Sequence, residues 1–191
     1  MSALAIEAVV IGASAGAVQA LSIVLPALPA DYRLPVLVVV HVPPDRRNAL
    51  AELFQSKCVI RVREAEDKEP IEPGVVYFAP PDYHLLVEDD RSLALSTDEP
   101  VLHSRPSIDV LFESAADVFG PALVGVILTG ANHDGASGLR ALAAAGGVAV
   151  VEEPATAFAP AMPEAALAAC EAARPMSLDA IASFLLTLSD E

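Results

Sequence analysis

The sequence predicts an α/β fold: a doubly wound, mainly parallel sheet with helices on both faces and an antiparallel hairpin region at one edge. Three observations predict it. The segments AVVI (8–11), VLVVV (36–40), ALVGVILT (122–129) and VAVV (148–151) are short apolar runs without polar alternation, as in strands covered on both faces. Helix-period patterns lie between them, and strands alternating with helices imply right-handed βαβ units. The stretch 58–97 instead carries the β-type runs CVIRVRE, VVYFAP, YHLLVE and RSLALS, separated by the turn signals EPG, PPDYH and EDDR.

The individual elements follow from local chemistry. Val18, Leu21, Val24, Leu25 and Leu28 recur at helical spacing, and Pro26 should bend or end that helix because it has no N–H to donate. The 58–97 runs are expected to pair as antiparallel hairpins, a flank of the main sheet and not a second domain. SIDVLFESAADVF (107–119) has Ser107 as its N-cap and Ile108, Leu111, Phe112, Ala115 and Phe119 as its apolar face. Leu139, Leu142 and Ala143 lead a further helix that stops at Gly146-Gly147. The reading is one domain over residues 1–191.

Bulk composition removes several classes of function. A hydrophobic content of 54% with 19% charged residues is that of a folded chain, not a disordered one. Asp and Glu outnumber Lys and Arg by 26 to 11, and a net charge of −15 repels polyanions, so nucleic acid is not an expected partner. Cys58 and Cys170 are far apart and read as small buried hydrophobes in a reducing compartment. Ala8 to Ala30 is uncharged, but Gly12, Gly16, Gln19, Pro26 and Pro29 interrupt it, and Glu7 stands where a secretory signal would carry Lys or Arg. These features predict a cytoplasmic chain with no membrane insertion.

Gly12-Ala13-Ser14-Ala15-Gly16 fits G-x-S-x-G between a predicted strand and a predicted helix. Three roles for Ser14 compete: helix cap, phosphate cradle and nucleophile. The dinucleotide fingerprint lacks its second and third glycines, because Ser14 and Ala17 occupy those places, and no Lys completes a Walker loop. The remaining choice depends on a base. His41 follows VLVVV directly and so falls at the carboxyl end of the second strand, where groups on a parallel sheet converge. An orienting carboxylate is available as Asp134 in VGVILTGANHDGASG, with helix capping as its competing role. If Asp134 caps a helix, it has fewer lone pairs for the His. His133 is a rival base, though neighbouring residues tend to point to different sides. His84 and His103 show no metal-ligand spacing, and neither a metal nor a cofactor is expected.

GASAGA, HVPP, GVVYFAPPDYHLLV, RPSIDVLFESAA, LTGANHDGASG and EEPATAFAPAMPEAA occur in this order, and together they resemble the catalytic domain of chemotaxis protein-glutamate methylesterases over roughly residues 8–172. The resemblance implies a doubly wound fold and a triad of Ser14, His41 and Asp134, the residues also reached from strand ends. It further implies hydrolysis of glutamate methyl esters on the cytoplasmic helices of chemoreceptors, with deamidation of receptor glutamines in some relatives. Backbone N–H groups at Ala15 and Ala131 become oxyanion donors, and Arg46 and Arg47 candidate contacts to an acidic receptor helix. The family usually has Gly-Gly after its serine turn and Met-Gly after T-G, whereas this chain has Ala17 and Ala131-Asn132, with Asn able to take a left-handed conformation at 132. Members commonly carry an N-terminal phosphoacceptor receiver domain, and the start of this chain close to its first strand implies control by another route. Two other readings are a catalytically impaired regulatory or binding module on the same fold, and a general small-molecule esterase.

Overall fold

The computed structural model describes residues 5–42 and 49–189. Its strands are β1 (Ala8–Ala13), β2 (Val36–Val40), β3 (Arg61–Glu64), β4 (Val75–Phe78), β5 (His84–Val87), β6 (Leu93–Ser96), β7 (Leu123–Ile127), β8 (Val148–Glu152) and β9 (Arg174–Met176). The helices are α1 (Ala17–Val24), α2 (Leu50–Lys57), α3 (Ile108–Phe119), α4 (Ala136–Ala144), α5 (Ala161–Ala169) and α6 (Leu178–Thr187). Seven strands form one sheet in the order β3-β4-β2-β1-β7-β8-β9, and every pairing in it is parallel. The central strand β1 sets the register, with Ile11 between Val38 of β2 and Val126 of β7.

Period-two alternation divides the apolar residues of β1 between two cores. Val9, Ile11 and Ala13 face α1, α2 and α6, while Ala8 and Val10 face α3, α4, α5 and the β5-β6 hairpin. The predicted doubly wound class is what forms. Within 58–97 the four runs divide: β3 and β4 join the parallel sheet, and only β5 and β6 make an antiparallel hairpin, as a separate two-stranded sheet. All four residues of β4 are buried, which is the signature of a strand covered on both faces. Pro26 ends α1 by passing the chain into a 3-10 turn at Leu25–Ala27. The order of strands reverses direction on either side of β1, so the carboxyl ends of β1, β2 and β7 border the crevice where doubly wound sheets bind ligands.

Candidate active site

Beyond β1 the chain turns through Ser14, Ala15 and Gly16 into α1. Ser14 N–H donates to the Thr129 carbonyl at 2.9 Å, so the turn is tied to the segment leaving β7. Thr129 reinforces the tie, its hydroxyl donating to the Ala15 carbonyl at 2.9 Å and accepting from Ala159 N–H at 2.8 Å. The N-cap of α1 is Gly16, at φ 83°, and no side chain caps the helix. Ser14 is therefore not the cap that its position in the sequence allows. Among the described residues its half-buried hydroxyl has no hydrogen-bond partner. Gly12 answers to packing: a Cβ there would lie 2.4 Å from Ile108 of α3.

His41 stands one step past the paired residues Ala13 and Val40, and its N–H donates to the Ala13 carbonyl at 3.2 Å. Adjacent strands lie about 4.8 Å apart, so Ser14 and His41 are neighbours along the rim of the sheet. The imidazole is only 12% exposed, and its Nε2 lies 2.7 Å from Asp134 Oδ2. Its tautomer follows from the surrounding donors. Asp134 N–H can only donate, and it donates to Asn132 Oδ1 at 3.0 Å, which orients the carboxamide. Asn132 Nδ2 then faces His41 Nδ1 at 3.3 Å as a donor. Nδ1 must accept, and Nε2 carries the hydrogen given to Asp134.

Asp134 is fully buried and takes four hydrogen bonds. Oδ2 accepts from His41 Nε2 and from Ile108 N–H, both at 2.7 Å, and Oδ1 accepts from Ser107 Oγ and Asp109 N–H, both at 3.0 Å. These use all of a carboxylate's roughly four acceptor sites. Burial works to raise this carboxyl, but the bonds from His41, Asp109 and Ile108 and the nearby imidazole charge outweigh it and hold the group below its usual value. Capping and His orientation therefore coexist in full. The capped helix is α3, from another part of the chain, and Ser107 occupies the N-cap position without capping, since its hydroxyl serves Asp134.

Asp109 returns the service. Its Oδ1 accepts from Gly135 N–H at 3.0 Å and Gly138 N–H at 2.6 Å, holding the first turn of α4. Burial, opposed by those two bonds and helped by the charge of Asp134, pushes the Asp109 carboxyl up to about 6. Glu152, also buried, accepts from Thr129 N–H at 2.7 Å and is raised by burial.

Ala15 and Ala131 lie on the two turns joined through Thr129, and among the described residues their backbone N–H groups have no acceptor. The candidate base His133 is exposed and faces a groove with α5, while Asp134 binds His41. His84 is buried and spent on structure, with Nδ1 accepting from Ser107 N–H and Nε2 meeting the Glu99 carbonyl. His103 lines a cleft of about 390 Å³ beside His41, together with Val42, Asp82 and Arg105. Asn132 is not among the residues with positive φ; its side chain, not backbone freedom, is what the site uses. Arg46 and Arg47 lie outside the described residues. Among the described residues no three His, Cys, Asp or Glu side chains are grouped to hold a metal, and no helix is long and apolar enough to cross a membrane.

Sequence spacing marked Ser14, His41 and Asp134 but not the supports Ser107, Asp109 and Thr129, whose roles depend on contacts between distant segments. Residues 9–185 match the family described as CheB methylesterase. The chain belongs to the CheB methylesterase family. The crystal structure of the Thermotoga maritima CheB methylesterase catalytic domain superposes with a TM-score of 0.89 at 30% identity, covering 97% of this chain and 100% of that one. A Leptospira interrogans relative, provisionally named protein-glutamate methylesterase/protein-glutamine glutaminase, is 45% identical over 182 residues, 95% of this chain and 94% of the relative. A Symbiobacterium thermophilum protein-glutamate methylesterase/protein-glutamine glutaminase is 43% identical over 155 residues, 81% of this chain but 43% of that protein. CheB relatives thus include one of about this chain's length and one nearly twice as long.

Proposed function

We propose that this chain is a serine ester hydrolase that demethylates glutamate methyl esters on chemoreceptor helices, with Ser14 as nucleophile, His41 as general base and Asp134 as the orienting carboxylate. The observation that carries the reading is the part-buried 2.7 Å bond between His41 and Asp134, one register step from a serine turn whose hydroxyl has no partner among the described residues. Ser14 Oγ attacks the ester carbonyl as its proton passes to His41. The N–H groups of Ala15 and Ala131, without an acceptor among the described residues, then receive the oxyanion. Collapse of the tetrahedral adduct breaks the C–O bond, the imidazolium returns its proton to the departing methoxide, and methanol leaves. Water, deprotonated by the same base, then releases glutamate and restores Ser14. Attack on a side-chain amide would release ammonia by the same steps, which suits the second activity in the relatives' names.

The test is methanol release from methylated receptor by the wild type and by Ser14→Ala. The serine variant should fall by several orders of magnitude, and an unchanged rate would remove Ser14 from the mechanism. Arg46 and Arg47 are proposed contacts to the acidic receptor helix. Reversing both charges should raise KM for receptor and leave hydrolysis of a small ester unchanged; equal loss on both substrates would refute that role. One observation favours the second reading, an impaired binding module: Asn132, not Ser14, meets His41 Nδ1. Labelling of Ser14 by a fluorophosphonate separates the two, since only an engaged serine reacts.

A further inference from the structure

The bonds around Asn132 form a chain in which each donor fixes the next group. The backbone N–H of Asp134 claims Oδ1 of the carboxamide, Nδ2 therefore points at Nδ1 of His41, and the ring hydrogen is left on Nε2 for Asp134. The base is held from both sides by one loop, with a carboxylate on one nitrogen and an amide donor on the other. An imidazole nitrogen has a single lone pair, so Asn132 and the Ser14 hydroxyl cannot both use Nδ1 fully. The contact to Asn132, at 3.3 Å, is at the long and weak end of the range, whereas that to Asp134, at 2.7 Å, is short and charge-assisted.

The geometry points to Asn132 as a positioning residue for the base. It keeps the lone pair of His41 on Nδ1, occupies that lone pair in the resting enzyme, and yields it to the Ser14 hydroxyl when substrate binds. The inference rests on the assignment of His41 as base and deepens it, since it names which nitrogen takes the proton and what sets that choice. A donor facing Nδ1 opposes protonation there, because a protonated nitrogen would meet an N–H head on. An acceptor in the same place would do the reverse and hold a second proton on the ring, leaving no lone pair for Ser14.

Asn132→Asp is the discriminating variant. It has the same shape and keeps an oxygen for Asp134 N–H, so the loop retains its support, but it turns the group facing Nδ1 from donor to acceptor. The expected result is a folded protein whose kcat for methylated receptor at pH 7 falls about a hundredfold, with KM within about twofold. Its rate should recover only toward alkaline pH, the acid limb of its profile lying about one unit or more above that of the wild type. Long-range 15N NMR of the histidine rings supplies a readout independent of turnover. In a Ser14→Ala background, His41 should show hydrogen on Nε2 alone with Asn132, and hydrogen on both nitrogens with Asn132→Asp at the same pH. An unchanged tautomer, or an unchanged pH profile, would overturn the role of Asn132. An active Ser14→Ala protein would overturn the nucleophile and leave the NMR result standing, so the two failures are distinguishable.

Discussion

Two turns sit side by side at the carboxyl rim of the sheet and are built alike, yet they end in opposite states. The β1-to-α1 turn and the β7-to-α4 turn each reach a helix through a left-handed glycine, Gly16 at φ 83° and Gly135 at φ 99°, and neither helix is capped by a side chain from its own cap residue. In the first turn the Ser14 hydroxyl has no partner among the described residues and α1 begins with no side-chain capping bond. In the second, Asp134 takes four hydrogen bonds and the first turn of α4 is held by Asp109 from another helix. On the proposed mechanism the difference separates two requirements of acyl-transfer chemistry. A nucleophile must be free to approach a carbonyl, whereas a buried charge must be saturated with donors or it will pick up a proton.

The largest test of this contrast compares Ser14→Ala with Asp134→Ala. Both should lose hydrolysis by at least about 10⁴-fold. Stability should separate them: Ser14→Ala should unfold within about 0.5 kcal/mol of the wild type, and Asp134→Ala should lose about 3 kcal/mol or more, because four donors lose their acceptor in a buried site. Equal denaturation midpoints for the two variants would break the comparison.

Asp109 gives a smaller effect with a definite sign. Its carboxyl is raised from 3.8 to about 6 in the folded chain. Below the unfolded value both states hold the proton, and the folded state keeps its full advantage. Between about pH 4 and pH 6 the unfolded chain ionises first, so this group makes stability fall as pH rises, by on the order of 2 kcal/mol. Asp109→Asn retains an oxygen to accept from Gly135 and Gly138 and should lack that fall. Stability measured across this pH range in both proteins decides it, and parallel curves would count against the raised carboxyl. Asp134, held below its usual value, contributes the opposite slope at more acidic pH, where protonation releases its donors.

Ser107→Ala is the gentlest probe of the saturated turn. It removes one of four donors to Asp134 and leaves three, so a loss of about 1 kcal/mol and a several-fold lower kcat are expected, with KM unchanged. Denaturant melts and steady-state rates on one preparation would check both.

Much of this was legible in the chain itself. The unbroken apolar runs at 8–11, 36–40 and 122–129 required strands covered on both faces, hence a parallel sheet, and a parallel sheet gathers its strand ends on one rim. That suffices to place Ser14, His41 and Asp134 on one rim of the sheet. The runs within 58–97 were less decisive, because short β-type segments carry no information about which neighbour they pair with. β3 and β4 found the main sheet and left β5 and β6 as a hairpin of their own.

What the sequence determined alone is the set of candidate groups and the rim they share, because unbroken apolar runs and the side-chain period are read from local pattern. Tertiary structure alone decided how the charge is kept. The exchange of carboxylates between α3 and α4, the recruitment of Ser107 away from capping, and the contact of Asn132 with His41 all join segments that no spacing relates. Hydrogen bonds are directional and act over about 3 Å, so partners distant in the chain are settled only when packing brings them within reach.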